Sequence, residues 1–520
     1  MEKRALIATF LSMLVIVTFM YLMPAGTPPP ATKTPAATAT SSNLAPEAIS
    51  TPVTPKNTGE KTILIDTPNN KVAISTRGAS LLSWQIKDKD NKWLTMISSN
   101  TLNGKKPLAL LTGQEPFLSE MEYNTGQESL QVSAGETKTL SLTIQLANGL
   151  EITRQYIFKG EGYLHSTVAI FQNKGNAPIK IPGYTLSWGP GLNPLNSKAE
   201  TNNAEAWIDG KFQKGVKPAG QNGVVSWVTL SSQYFAATLL PAQTIFEGVV
   251  SDKNQDKKIS VGLVQKEYIL APGETKKDAV DLYIGPKEYK TLKTIAPNLE
   301  RIVGFGPSEK LCYYVLNGIN GMVHNYGWAI VILTLILQII LLPLTLKSYR
   351  SMKEMQRVQP LMKQLQEKYK DDAKRLNIEI MNLYKAHKVN PFGGCLPMLL
   401  QMPILFALYN TIRYTIELRQ APFIFWIKDL SLPDTVTAIA GININILPLV
   451  MGISMLLQQK MSNVDPQQAK MVMFMPIIFT FFFWNVPSGL VLYWFINSIV
   501  SMAGQYLFIH KREAKVEVVK

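Results

Sequence analysis

Residue types that do covalent or metal chemistry are scarce in this chain. It has four histidines and two cysteines in 520 residues. Cys312 and Cys395 belong to no CxxC pair or Cys/His array, so neither a disulfide scaffold nor a zinc site is indicated. Between residues 60 and 300 the one histidine is His165, too little for the histidine and carboxylate sets that acid–base enzymes use. What recurs at regular spacing is uncharged polar residues inside apolar runs. Thr334 and Gln338 lie four apart, on one face of a helix. Gln401 sits in a second apolar run. In a third, Tyr493 and Trp494 are followed by Asn497, Ser498, Ser501 and Gln505 at three- to four-residue spacing. The chemistry open to such residues is hydrogen bonding in a medium that offers few partners. Small-polar helix packing explains such a stripe. For Tyr493 and Trp494, core packing or an interfacial belt is equally consistent.

These residues need apolar helices to position them, and the composition supplies them. The chain is 46% apolar and only 17% charged, yet it carries a net charge of +15. A soluble basic protein would hold nearer a quarter charged residues, so both properties must be clustered. Residues 60–310 hold 28 basic and 24 acidic side chains, a net of +4. Residues 347–388 hold 11 basic and 5 acidic, a net of +6. The 39 residues from Met471 to Ile509 carry no formal charge, enough for two membrane spans of about 20 residues.

Six spans are expected, at residues 5–23, 327–346, 395–412, 438–459, 471–486 and 488–508. Residues 1–23 read as an uncleaved anchor, longer than the 7–15 apolar residues usual in a signal peptide. Residues 24–59 are too rich in Pro, Thr and Ala to bury a core and read as a disordered tether. Residues 60–304 carry recurrent strand patterns, among them Ser80–Lys87, Leu150–Phe158, Leu164–Gln172 and Ile259–Val264. Ala147-Asn148-Gly149 marks a hairpin and Ala271–Thr275 another turn. Nine or more such strands without intervening helices predict a large antiparallel β-sandwich. Residues 305–326 read as an amphipathic helix on the membrane surface or on the soluble domain.

Lysine and arginine near span ends set the orientation. Lys3 and Arg4 place the N-terminus inside and the strand-rich domain outside. Residues 347–394 return as a basic helical hairpin, whose candidate docking residues are Lys347, Arg350, Lys353, Arg357, Lys374 and Arg375. Its first helix contains Pro360, which predicts a kink, and Asp371–Asp372 predict a turn and N-cap before the second. Residues 395–508 hold the remaining spans, and residues 509–520 form a short basic inside tail. Cys312 falls outside and Cys395 near the inner face, so they should not pair.

The local sequence is more specific than this pattern. NPFGGCLPMLLQMPILFALY at 390–409, ELRQAPFIFWIKDLS at 417–431, FMPIIFTFFF at 474–483 and PSGLVLYW at 487–494 resemble the YidC/Oxa/Alb family of membrane protein insertases. The resemblance covers the whole chain and points to the Gram-negative branch with a large periplasmic domain. It implies a multi-pass inner-membrane protein, an insertase and foldase without ATP, cofactor or covalent chemistry. Its five-helix core would form a hydrophilic groove open to cytoplasm and lipid. That groove would accept nascent polar segments and pass apolar ones into the bilayer, alone or with the Sec translocon. The implied partners are nascent membrane proteins, the Sec translocon, the ribosome, the signal recognition particle receptor and anionic lipids, but not DNA. Carried over by position, the groove set is Thr334, Gln338, Gln401, Tyr493, Trp494, Asn497 and Ser501. The family has a groove arginine five residues before the proline of a PLT motif. Here that motif is Pro343-Leu344-Thr345 and the position holds Gln338, so the fixed charge is absent. A secondary transporter of a small solute is the alternative, but neither repeats nor charges at mid-span support it. Sugar-epimerising domains resemble the outer sandwich in fold, and the single His165 argues against that activity.

Overall fold

A computed structural model of the chain describes residues 59–97, 106–113, 118–192, 195, 202–218, 220–253, 258–387, 389, 396–439, 441–461 and 466–507. The expected anchor, the tether up to residue 58 and the inside tail lie outside the described residues, as does Cys395. The chain divides into two compact units. One holds the described residues of 45–313 with 410–420, the other those of 314–409 with 421–520.

The first unit is strand-rich. Its largest sheet has eight strands, with Thr137–Gln145, Leu150–Lys159, Leu164–Asn173 and Thr275–Pro286 adjacent at one side. Alternation of burial along Leu150–Lys159 is strict, as a half-buried strand requires. Gly149 closes the turn between the first two strands at φ +84°, a left-handed conformation that suits glycine. Two five-stranded sheets and a two-stranded ribbon complete the unit. Residues of the three larger sheets share one core, in which Trp84 and Trp188 meet edge to face at 5.9 Å. The architecture departs from the all-antiparallel expectation at one place, where Thr62–Asp66 pairs parallel with Ser129–Gln131.

His165 lies inside this core, 1% exposed, 5.5 Å from the Trp84 ring and 5.3 Å from Phe158. Its Nδ1 accepts from the Lys159 amide at 3.3 Å. Burial pushes its pKa down to about 4, so it is a neutral packing residue. Arg154 is buried too, donating to the Leu108 carbonyl at 2.8 Å, Tyr156 Oη at 3.2 Å and Thr167 Oγ1 at 3.3 Å.

The unit ends in helix α1 (Tyr289–Ile295), a 3-10 turn (Leu299–Val303) and the first turns of α2 (Pro307–Val323). Tyr289, Phe305 and Tyr313 form an aromatic cluster at 5.2–5.6 Å. Segment 410–420 is bound to the same unit. Arg419 Nη1 meets both carboxylate oxygens of Asp88, at 2.8 and 2.7 Å. Lys89 Nζ donates to the Ile416 carbonyl at 3.1 Å, Tyr313 Oη to Glu417 at 2.8 Å and Asn410 to Glu309 at 3.2 Å. Burial raises the Glu417 pKa and lowers that of Lys89.

The second unit is helical. Its elements are α3 (Tyr326–Lys368), α4 (Ala373–Ala386), α5 (Leu396–Tyr414, whose last turn belongs to the first unit), α6 (Ile446–Met461), α7 (Pro466–Phe482) and α8 (Ser488–Gln505). Helix α3 joins the expected second span and the first hairpin helix into 43 continuous residues, and its helical assignment runs unbroken through Pro343 and Pro360. Asn325 caps its start, accepting from the Trp328 amide at 3.2 Å, and Asp372 caps α4 through the Arg375 amide at 3.0 Å. Among the described residues α3 alone is long and apolar enough to count as a span by length and composition. Shorter apolar helices cover Ile446–Lys460 and Phe474–Asn485. The span expected at 438–459 is corrected. Thr435–Ile439 and Ile442–Asn445 form an antiparallel hairpin, and helix begins only at Ile446. Hydropathy does not distinguish an apolar strand from the start of an apolar helix.

Candidate functional site

Helix α8 organises the helical unit. It packs against α3 and α6, and α6 packs against α7. The close approach of α6 to α7 needs Gly452, since a Cβ there would come within 2.2 Å of Thr480 Oγ1. Tyr493, Asn497 and Ser501 are four apart and share one face of α8. Three other side chains reach that face. Gln401 Nε2 of α5 donates to Tyr493 Oη at 3.2 Å, and Gln338 Nε2 of α3 donates to Asn497 Oδ1. Tyr349 Oη, also from α3, donates to the Ser501 carbonyl at 3.0 Å. The three contacts follow one another over eight residues, about 12 Å of helix. They form an uncharged polar seam. Gly504 lets Tyr349 approach, since a Cβ there would sit 3.2 Å from its ring.

Of the seven residues singled out in the sequence, Gln338, Gln401, Tyr493 and Asn497 bring side chains to this seam, and Ser501 brings its backbone carbonyl. Thr334 is fully buried on the Gln338 face, but its Oγ1 donates to the Ile330 carbonyl of its own helix at 2.7 Å. Trp494 is turned away. It stacks among Phe479 at 5.5 Å and Phe483 at 5.6 Å, beside α7. Neighbouring helix positions differ by 100°, so Tyr493 and Trp494 cannot serve one face. Tyr349 is the seam residue that sequence reasoning missed. The signal was its spacing, 11 residues or three turns after Gln338.

The outward faces of these helices are apolar. Ile339 and Ile340 on α3, Ile453 and Leu457 on α6 and Phe481 on α7 are all exposed. Polar groups inside and apolar groups outside is the arrangement that a lipid solvent selects. On the basic hairpin, Lys347, Arg350, Arg357, Lys374 and Arg375 are exposed and Lys353 is half-buried. Val358 and Met362 are buried where α3 meets α4, and Tyr384 Oη donates to Met362 Sδ at 3.1 Å.

Comparison with known proteins adds the following. Residues 318–515 match a family profile described as 60Kd inner membrane protein, and residues 62–312 match the YidC periplasmic domain. The membrane protein insertase YidC of Endomicrobium trichonymphae is 35% identical over 88% of this chain and 86% of its own. That of Geobacter sulfurreducens is 35% identical over 97% of this chain and 98% of its own. A crystal structure of an active YidC insertase with its first transmembrane domain resolved aligns with 97% of this chain and 99% of that chain, at 18% identity and a TM-score of 0.41. A galactose mutarotase-like protein from Lactobacillus casei aligns with 43% of this chain and all of its own, at 13% identity and a TM-score of 0.31.

Proposed function

The chain belongs to the family of YidC membrane protein insertases, and from that premise we propose that the α3–α5–α8 seam is the path for polar segments of nascent membrane proteins. The protein is an insertase of the inner membrane with a β-rich periplasmic domain, and its activity is not covalent catalysis. The transporter reading therefore falls.

The observation that carries the path is the row of interhelical hydrogen bonds along one face of α8. A peptide group moved into hydrocarbon without a partner costs several kcal/mol. Amides such as Gln338 and Asn497 hold both donors and acceptors, so they can exchange their mutual bond for bonds to a passing backbone. This makes the seam a store of hydrogen-bonding capacity that closes on itself between substrates. With Gln338 at the arginine position, selection by fixed charge is absent, and the seam serves segments of either sign. Five spans from this unit and an N-terminal anchor give the six-span topology, with both termini in the cytoplasm. The apolar segment of the substrate leaves along the exposed face of α3 or α7 into lipid. The basic hairpin then lies at the cytoplasmic entrance, where it meets anionic lipid, the ribosome and the receptor of the signal recognition particle. Larger substrates arrive with the Sec translocon.

The test is to make the seam apolar without a cavity, as Gln338→Leu with Asn497→Leu. In proteoliposomes the double variant should insert a substrate with a polar translocated segment about tenfold more slowly or worse, the equivalent of roughly one lost hydrogen bond. Unchanged insertion by the folded variant would reject the seam as the path.

A further inference from the structure

Between the third and fourth expected spans lies a surface with no role in the seam. We propose that loop 421–445 of the helical unit is an interfacial anchor, seated in the outer leaflet of the bilayer that the spans cross. The inference rests on the membrane topology proposed above.

The loop shows two apolar projections on a fixed base. One is the turn at Phe423–Ile427, closed by the Phe423 amide donating to the Ile427 carbonyl at 2.9 Å. Its tip is Phe425, 86% exposed, stacked on Trp426 at 5.9 Å and held at φ +57°. A non-glycine residue in the left-handed region carries strain, here in order to present an aromatic ring outward. The other projection is the hairpin of Thr435–Ile439 and Ile442–Asn445. Every residue of its first strand is exposed, Ile439 at 63% and Val436 at 49%.

The base is rigid and sits at the ends of the helices. Asp434 is buried, and one of its oxygens accepts from Trp426 Nε1 at 2.8 Å and from the Leu447 amide, in the first turn of α6, at 2.6 Å. Asn445 donates to the Trp484 carbonyl at 2.5 Å, and Trp484 Nε1 donates back to the Asn443 carbonyl at 3.0 Å. The amides of Ser488 and Gly489, opening α8, donate to the carbonyls of Leu432 and Leu430 at 2.8 and 3.0 Å. Both projections are therefore fixed to the N-terminal ends of α6 and α8.

Three facts choose lipid as the occupant. First, the sequence from Thr435 to Gln459 has no charge, so the hairpin and α6 up to Lys460 are charge-free together. Second, α6 has 16 residues, about 24 Å of helix. With Lys460 at the inner boundary, Ile446 falls short of the outer edge of a core about 30 Å thick. A bilayer thinned locally to match α6 puts its outer boundary at the hairpin. Third, the exposed apolar row Leu449, Ile453 and Leu457 runs down α6, so the lipid-facing surface continues into the hairpin without a polar break. An open hairpin cannot enter the hydrocarbon core, because its edge N–H and C=O groups need partners. The interface satisfies both demands, with side chains in the acyl boundary and backbone edges in the wet headgroup layer.

Depth measurements on the full chain decide the matter. Cys312 and Cys395 are replaced by serine, and single nitroxide labels are placed at Phe425→Cys and Ile439→Cys. Leu64→Cys, exposed on the strand-rich unit, is the aqueous reference, and Ile339→Cys on α3 is the bilayer reference. In vesicles of phosphatidylethanolamine and phosphatidylglycerol, the ratio of oxygen to nickel-chelate collisions at 425 and 439 should exceed that at 64 several-fold. It should lie below that at 339. Adding Val436→Asp should return the 439 label several-fold toward the aqueous value. Aqueous readings at 425 and 439 with a bilayer reading at 339 would overturn the anchor and leave the spans intact. Aqueous readings at all four would instead reject the membrane topology on which it rests. Labels that are aqueous in vesicles and become protected only when a nascent or partner chain is added would assign the surface to protein docking, which also overturns the proposal.

Discussion

Replacing Asp88 by alanine should release segment 410–420 from the strand-rich unit. The Asp88 carboxylate is gripped by Arg419 at 2.8 and 2.7 Å, and the two side chains are only 6% and 11% exposed. Solvent screening is therefore slight. Removing one partner of such a pair leaves the other charge buried and unpaired, at about 3–5 kcal/mol. The guanidinium also stands 5.8 Å from the Phe235 ring, a contact that survives the change but offsets little of the loss. The ties nearest the pair, from Lys89 to Ile416 and from Tyr313 to Glu417, and those at the start of the segment, from Asn410 and Thr411 to Glu309 and from Gln233 to the Arg413 carbonyl, hold it only in part. Opening that is easier by 3–5 kcal/mol speeds amide exchange by a factor of roughly 10² to 10³ or more. Hydrogen–deuterium exchange of the full-length protein, read on peptides covering 410–420, measures this. The pair Asp88→Leu with Arg419→Met should exchange more slowly than Asp88→Ala, because no lone charge remains. Exchange in Asp88→Ala within about threefold of wild type would show that the ion pair does not hold the segment, and the reasoning would be wrong.

Other outcomes follow from the same geometry. His165 has a folded pKa of about 4 against an unfolded value near 6.5, so the unfolded chain binds the extra proton between these values. The strand-rich unit should lose up to about 3 kcal/mol as pH falls from 6.5 to 4, and His165→Phe should abolish that component in pH-dependent melts. Gly452→Ala should cost about 1–3 kcal/mol by driving α6 from α7, and Thr480→Ala in the same chain should restore most of it in thermal unfolding. Gln338→Arg should leave complementation of a depleted strain unchanged. Loss of growth with Gln338→Arg would show that the seam requires an uncharged group at this position.

How much of this was legible depended on the length scale of each signal. Strands such as Thr137–Gln145 and Leu150–Lys159 repeat the period-two pattern long enough to read directly. Leu110–Thr112, Ser129–Gln131 and Ile179–Ile181 have three residues each and give no period, so the parallel pairing of Ser129–Gln131 was invisible. The hairpin before α6 reads as part of a span because Ala438–Asn445 is uncharged and its isoleucines and alanines suit either conformation. On α8 the spacing of Tyr493, Asn497 and Ser501 announced a face, but not its partners. Gln401 and Tyr349 join it only through tertiary packing. Trp494 enters the groove set with Tyr493 through the family resemblance, and the 100° between neighbouring helix positions separates the two. The Asp88–Arg419 pair spans 331 positions, and no local pattern marks it.

The seam is tested most directly by site-specific photocrosslinking to a stalled nascent membrane protein, with the probe placed in turn at Gln338, Gln401 and Ile339. The polar segment of the substrate should crosslink from Gln338 and Gln401. From Ile339, one position along α3 and facing outward, its apolar segment should crosslink instead. Polar-segment crosslinks from Ile339 with none from Gln338 or Gln401, in a folded and complementing protein, would contradict the account.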